Sequence, residues 1–136
     1  MLLNTFTPPQ KLAFLKLVRD MATVDKSVDT AERGVIKDLC NEMGISAIAM
    51  TKSVEGQPLE TLFNTAEVRA LVMVELARLS LVDKTFSFGE NEILNTVRRK
   101  FGFSRKDLDD ALRLGEIYTL LRKGITTLAT ASGEAA

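Results

Sequence analysis

The sequence predicts an all-α protein, a single-domain helical bundle of about seven helices with an internal pseudo-two-fold repeat. Three observations predict it. Apolar residues recur at helical spacing along most of the chain, and no segment shows a comparably strong strand-like alternation. A nearly continuous apolar segment, 66–82, is long enough for about four helical turns. An acidic turn occurs at Asp25 and again at Asp83, 58 positions later.

The first two helices have clear start and stop signals. Thr7 supplies an N-cap hydroxyl, Pro8 occupies the first helical position, and Gln10 stands at the capping-box position. A second helix is expected over 30–43, because its apolar residues share one face. Gly44 can adopt the left-handed conformation that ends this helix.

The middle of the chain is predicted to hold the central helix. Ser46 caps a short third helix, and Pro58 starts a short fourth one. The segment 66–82 is apolar nearly all round, which indicates a helix buried within the bundle. The residues expected to be among its most buried are Val68, Leu71, Val72, Leu76 and Leu79.

Two more helices are expected after the second acidic turn. One starts at Glu90 and is closed by Gly102, and Ser104 caps another that runs to about Lys123. Gly115 within that last helix costs about 1 kcal/mol relative to Ala, which suggests a bend or a close helix contact. The apolar stripe of the last helix is Leu108, Ala111, Leu112, Ile117, Leu120 and Leu121.

The second half of the chain repeats the pattern of the first. With a shift of 58 positions, the identical pairs include Val24/Val82, Asp25/Asp83, Lys26/Lys84, Glu32/Glu90, Gly44/Gly102 and Ser46/Ser104. Two copies are too few for a solenoid, which needs about three. We therefore expect one domain over 1–125, with repeat halves at about 12–55 and 66–114, and a flexible tail over 126–136.

A recurring motif joins the two helices of each half. A helix ends in a small residue, an Asp follows, and a Glu stands seven positions after that Asp. The motif residues are Ala22-Thr23-Val24-Asp25 with Glu32, and Ser80-Leu81-Val82-Asp83 with Glu90. This duplicated motif resembles the TerB (tellurite-resistance B-like) family over about 12–114, with Lys26 and Lys84 standing where the family usually has Gly. The resemblance implies a non-enzymatic interaction module in tellurite or metal-ion stress response.

Charge and composition bound the partners and the location. Eighteen basic and eighteen acidic residues cancel, so no global field attracts nucleic acid or an anionic membrane. Charged residues interrupt the apolar segment 66–82, so membrane insertion is not expected. The N-terminus lacks the pattern of a signal peptide, and one Cys gives no disulfide framework. We therefore expect a cytoplasmic protein. The resemblance to TerB-like proteins implies a protein partner.

The sequence offers little for catalysis. It contains no His, which excludes His-based acid–base or nucleophilic chemistry within the chain. It also lacks a glycine-rich phosphate loop and a nucleophile–base pair. Cys40 lies on the apolar face of its helix without a basic neighbour on that face to stabilise a thiolate, so we expect a buried core residue. A non-enzymatic protein is predicted.

The two acidic turns are the candidate chemical sites. Their carboxylate and hydroxyl oxygens are ligands that Ca²⁺ and Mg²⁺ prefer. The candidate metal ligands are Asp25, Asp29, Glu32, Asp83 and Glu90. The alternative function is therefore a divalent-cation-responsive protein that uses the turns at 25–32 and 83–90.

A structural interpretation explains the same carboxylates without an ion. Ser87 and Glu90 have capping-box spacing, and Asp29 with Glu32 is a near equivalent, so both glutamates are expected to bind backbone donors. Neither turn is an EF-hand loop, because seven positions rather than about eleven separate its first Asp from its Glu.

A partner-binding surface is predicted next to the second turn. Phe88 aligns with a polar residue, Thr30, of the first half, which indicates an exposed ring that can anchor a partner. Arg98 and Arg99 belong to a basic cluster near the end of the same helix. That cluster either binds a phosphate or an acidic partner, or complements the helix dipole. The candidate partner-binding residues are Phe88, Arg98 and Arg99.

Overall fold

The computed structural model describes residues 2–23, 30–45, 57–81 and 88–135. This part of the chain contains a 3₁₀ turn, Leu2–Thr5, and six α-helices and has no strand, which confirms the all-α class. The predicted short helix after Ser46 lies outside the described residues. The α-helices are α1 (Pro8–Thr23), α2 (Thr30–Met43), α3 (Leu59–Leu62), α4 (Ala66–Ser80), α5 (Phe88–Phe101) and α6 (Arg105–Ala135).

The helix starts follow the predicted capping chemistry. At α1 the backbone N–H of Gln10 donates to Thr7 Oγ1 at 3.3 Å, and Thr7 N–H donates to Gln10 Oε1 at 3.0 Å. Gln10 Nε2 also donates to Leu62 O at 2.9 Å, which ties α1 to the end of α3. At α6 Asp107 N–H donates to Ser104 Oγ at 3.1 Å and Ser104 N–H donates to Asp107 Oδ2 at 2.8 Å. Both predicted N-caps are confirmed.

Two glycines end helices as the sequence predicts. Gly44 follows α2 with a φ of 69°, and Gly102 follows α5 with a φ of 79°. In both places the residue after the glycine donates to a carbonyl oxygen five positions earlier, at 3.0 Å and 2.9 Å. This is the hydrogen bond of a Schellman C-cap, in which glycine adopts the left-handed conformation without a Cβ clash.

α4 is the central helix and packs against α1, α5 and α6. Val72, Leu76 and Leu79 are fully buried, as predicted. Val68 and Leu71 are only half-buried. They lie in the first two turns, next to the exposed segment 64–67, so fewer neighbours cover them there.

α6 crosses α4 at Gly115. A Cβ on Gly115 would lie 3.0 Å from Arg78 N and 3.3 Å from Val74 O, both backbone atoms of α4. The predicted close helix contact is confirmed. Any side chain at this position would push the two helices apart.

α6 is longer than the sequence predicted. The prediction ended it near Lys123, with a flexible tail over 126–136, whereas the helix continues to Ala135. The segment contains no proline and several alanines, so nothing in it forbids helical backbone. The prediction that this helix ends near Lys123 was wrong.

The helix bounds follow the shift of 58 positions. α1 and α4 start 58 positions apart, and α2 and α5 both start and end 58 positions apart. Thr65 caps α4 by accepting a hydrogen bond from Val68 N–H at 3.2 Å, as its counterpart Thr7 does for α1. Superposition of the halves about a pseudo-two-fold axis stays a prediction.

Candidate interaction surfaces

The predicted metal ligands fall mostly outside the described residues. Asp25, Asp29 and Asp83 lie there, as does the side chain of Glu32. Glu90 lies in the first turn of α5 and exposes 4% of its surface. Within the described residues, no three Cys, Asp or Glu side chains are grouped to hold a metal ion. The ion site at the acidic turns stays a prediction.

Phe88 and Arg99 share the exposed face of α5. Phe88 is the first residue of the helix and exposes 77% of its surface. Arg99 follows eleven positions later, about three turns, so it points to the same side of the helix. The two residues therefore form one exposed face, with an aromatic ring at one end and a cation at the other.

Arg98 is turned away from that face. It is half-buried, and its Nε donates to Asn95 Oδ1 at 2.9 Å while its Nη1 donates to Phe103 O at 3.0 Å. These bonds satisfy a carbonyl just beyond the end of α5, where a cation also complements the helix dipole. The structural interpretation therefore accounts for Arg98, and the structure does not group it with Phe88.

A groove of about 480 Å³ opens between α1, α3 and α5, next to the start of α5. Leu17 and Ile93 contribute apolar surface to it. Its charged lining residues are Lys16, Asp20, Glu92 and Lys100. Because the two signs balance, the groove favours neither an anionic nor a cationic ligand.

A buried ion pair lies on α4, and the sequence analysis missed it. Arg78 donates to Glu75 Oε2 through Nε at 3.0 Å and Nη2 at 2.8 Å, and the two residues expose only 6% and 2% of their side chains. Burial raises the pKa of Glu75, although the charge of Arg78 opposes that shift. The available signal was an acid and a base three positions apart within the apolar stretch 70–79 of α4.

Side chains from α6 and α2 extend this pair. The Cζ atom of Arg78 lies 4.9 Å from the ring centroid of Tyr118, and that of Arg122 lies 6.0 Å from it. Arg122 Nη1 lies 3.8 Å from Glu42 Oε1. Burial also raises the pKa of Tyr118. These charges and the Tyr118 ring connect α4, α6 and α2. The Glu75 carboxylate already accepts hydrogen bonds from Arg78, so the cluster is structural.

Within the described residues, six of the eight large apolar side chains that are exposed lie on α6. The sequence analysis placed Ile117, Leu120 and Leu121 on the same inner stripe as Leu108 and Ala111, but only the last two are buried. Every residue over 123–131 is exposed, so α6 runs past the body of the bundle. The apolar residues exposing between 52% and 71% of their surface on α6 are Leu114, Ile117, Leu120, Leu121, Ile125 and Leu128.

Two further findings bear on these surfaces. Within the described residues, no helix is both long and apolar enough to cross a membrane. No family model, curated protein or solved structure matches the chain.

Proposed function

We propose that this chain is a non-enzymatic, TerB-like protein-interaction module. The proposal rests on the exposed apolar stripe of α6, which consists of Leu114, Ile117, Leu121, Ile125 and Leu128. A contiguous apolar patch of roughly 500 Å² is near the upper end of what a soluble monomer exposes, and patches of that size are often binding surfaces. Covering it with another protein surface removes apolar side chains from water, which is the main favourable term in protein association.

The duplicated helix pairs support the TerB-like part of the proposal. α2 and α5 have the same bounds after a shift of 58 positions, and each is followed by a glycine with positive φ. In the proposed architecture, a pseudo-two-fold axis relates the two halves. The resemblance ends near residue 114, and the exposed stripe begins at Leu114. The stripe is therefore a feature added to the duplicated unit.

Two buried groups of a kind that can act in catalysis, a carboxylate and a thiol, have structural roles in this protein. The Glu75 carboxylate accepts two hydrogen bonds from Arg78. Cys40 is buried, and burial raises the pKa of its thiol, which disfavours the reactive thiolate. Both observations support a binding role over a catalytic one.

Photo-crosslinking in living cells tests the proposal. A photoreactive amino acid at Ile117 lies on the stripe, and one at Thr126 lies on the opposite side of α6 and serves as the matched control. We expect covalent protein adducts from position 117 and few from position 126. Equal labelling at both positions, or none at either, contradicts an interaction module that uses this stripe.

The face containing Phe88 offers a second measurement. Because the ring is exposed, Phe88→Ala is expected to change the free energy of unfolding by less than about 0.5 kcal/mol. If this face also contacts the partner, the same substitution reduces the yield of adducts from position 117. A large loss of stability would contradict the exposure of Phe88.

The proposed setting is the cytoplasm, in the response to tellurite or metal-ion stress. The duplicated motif at Asp25 and Asp83 supports this setting through its resemblance to TerB-like proteins. Deleting the gene is then expected to make cells more sensitive to tellurite or to metal salts. Unchanged growth would remove the stress setting and leave the interaction module standing.

A further inference from the structure

The exposed stripe of α6 is palindromic. Its members stand at −7, −4, 0, +4 and +7 relative to Leu121, and the residue types read the same in both directions: Leu114, Ile117, Leu121, Ile125 and Leu128. Leu120, the fourth exposed leucine of α6, lies about 100° around the helix from Leu121 and outside the stripe. A surface with this order is complementary to itself when one copy is reversed.

Building on the interaction module proposed above, we propose that the occupant of this surface is a second copy of the chain, docked antiparallel along α6. In a two-fold interface, residue i contacts residue j and j contacts i. With Leu121 on the axis, Ile117 meets Ile125 of the second copy, and Leu114 meets Leu128. Each pair then joins side chains of the same type.

The size of the stripe fits such a dimer. Residues 114–128 span about 21 Å of helix. Their five apolar side chains expose roughly 500 Å² in each copy, so a pair buries roughly 1,000 Å², about the threshold for a specific interface. The stripe also includes part of the exposed segment 123–131, and a helix of that length is marginal in water by itself.

Charge and shape permit the same arrangement. Glu116 and Lys123 lie roughly on the opposite side of α6 from the stripe, so like charges are not brought together at the axis. A groove of about 590 Å³ runs beside Leu121 and Ile125, between α6 and α2. The body of the bundle therefore does not pack tightly against α6 beside Leu121 and Ile125.

Analytical ultracentrifugation of the full chain tests the dimer. Leu121→Glu places two carboxylates on the axis and is expected to weaken dimerisation on the order of 100-fold. Leu120→Glu is the matched control, because it puts the same change on an equally exposed neighbour outside the stripe. Its expected effect is within a few fold. A natural chain that stays monomeric at roughly 100 µM overturns the proposal.

Engineered cysteines test the orientation. With Leu121→Cys, a disulfide is expected to form between position 121 of one copy and position 121 of the second copy. Leu114→Cys and Leu128→Cys are each expected to give no crosslink alone, and to crosslink with each other when the two variants are mixed. Buried Cys40 stays in place, and the natural chain serves as the control. Crosslinking of Leu114→Cys with itself would show a parallel pair and overturn the antiparallel assignment.

The two proposals fail in different ways. A monomeric chain whose photoreactive residue at Ile117 attaches to a different protein overturns self-association and keeps the interaction module. Adducts whose mass is that of two copies support both proposals. A monomeric chain with no adducts at position 117 overturns both.

Discussion

Two helix pairs can be compared, α1 with α2 and α4 with α5, because they start 58 positions apart in the chain. The first helices of the two pairs, α1 and α4, carry different residues at corresponding positions. α1 has Leu17, which is buried, and Asp20, which is half-exposed. The corresponding residues of α4 are Glu75 and Arg78, and both are buried. The same local framework therefore surrounds an apolar residue in one half and an ion pair in the other.

α6 explains the difference. It crosses α4 at Gly115 and brings Tyr118 over Arg78, so it covers charged side chains that would otherwise reach water. On α1, Asp20 stays half-exposed, 3.8 Å from Arg19, and an ion pair of that kind contributes little to stability. Once a helix is covered on this side, a charged residue there must be paired within the protein.

The largest expected effect on stability comes from replacing Glu75 of α4 by leucine, the residue at the corresponding position 17 of α1. Glu75→Leu is expected to lower the free energy of unfolding by about 3–5 kcal/mol, because it leaves Arg78 buried without its carboxylate. Urea denaturation measures this loss. The double variant Glu75→Leu with Arg78→Met is expected to recover most of the stability, since no buried charge remains. Equal losses in the single and double variants would show that packing, not charge, dominates.

Arg78→Leu removes the other member of the ion pair, and its effect on the free energy of unfolding is expected to depend on pH. It removes the charge that lowers the pKa of Glu75, so burial raises that pKa further in the folded state. The unfolded pKa of a Glu is about 4.3. When the folded pKa of Glu75 lies above it, this contribution to stability is fully present below the unfolded pKa and is lost as the pH rises through the folded pKa. The deficit is therefore expected to shrink between pH 7 and pH 5. Glu75→Leu is expected to show no comparable recovery, because Arg stays charged throughout.

The crossing of α6 over α4, by which the second helix pair differs from the first, is tested at Gly115. Gly115→Ala is expected to cost about 1–2 kcal/mol, because the new Cβ meets the backbone of α4. Gly34→Ala in α2 is the matched control, since a Cβ there meets nothing within 4 Å. That control is expected to gain about 0.5–1 kcal/mol from better helix propensity. Gains in both variants would contradict the close crossing.

The shared helix starts predict smaller, similar effects in both halves. Thr7→Ala and Thr65→Ala each remove an N-cap hydrogen bond and are expected to cost about 1 kcal/mol. Thr7 belongs to a reciprocal box with Gln10, so its loss is expected to be the larger one. Thermal or chemical unfolding measures both. An effect at only one threonine would weaken the case for equivalent helix starts.

The two acidic turns give the smallest expected effect. Millimolar Ca²⁺ or Mg²⁺ is expected to stabilise the natural chain by less than about 0.5 kcal/mol. Replacing Lys26 and Lys84 by Gly removes a cation from each turn, so a larger response is expected in that double variant. A strong calcium response of the natural chain, abolished by Asp25→Asn or Asp83→Asn, would favour the divalent-cation-responsive alternative.

Local chemistry let the sequence determine most helix boundaries. The caps at Thr7 and Ser104 and the stops at Gly44 and Gly102 depend on hydrogen bonds within about five residues, so their signals are complete in a short segment. The periodicity of apolar residues likewise predicted the all-α class and much of the α4 core. The exposure of Phe88 was also predicted, because its counterpart in the first half is polar.

Only the tertiary structure decided which apolar and charged faces are covered. At 100° per residue Ile117 and Leu121 lie about 180° and 140° around α6 from buried Leu108, so the helix carries apolar residues on two sides, and packing decides which side the body of the bundle covers. Glu75 and Arg78 have the spacing of an ordinary surface pair, yet α6 buries them. Burial depends on which distant segment packs against a face, and in this chain that depends on a crossing close enough to require glycine at position 115.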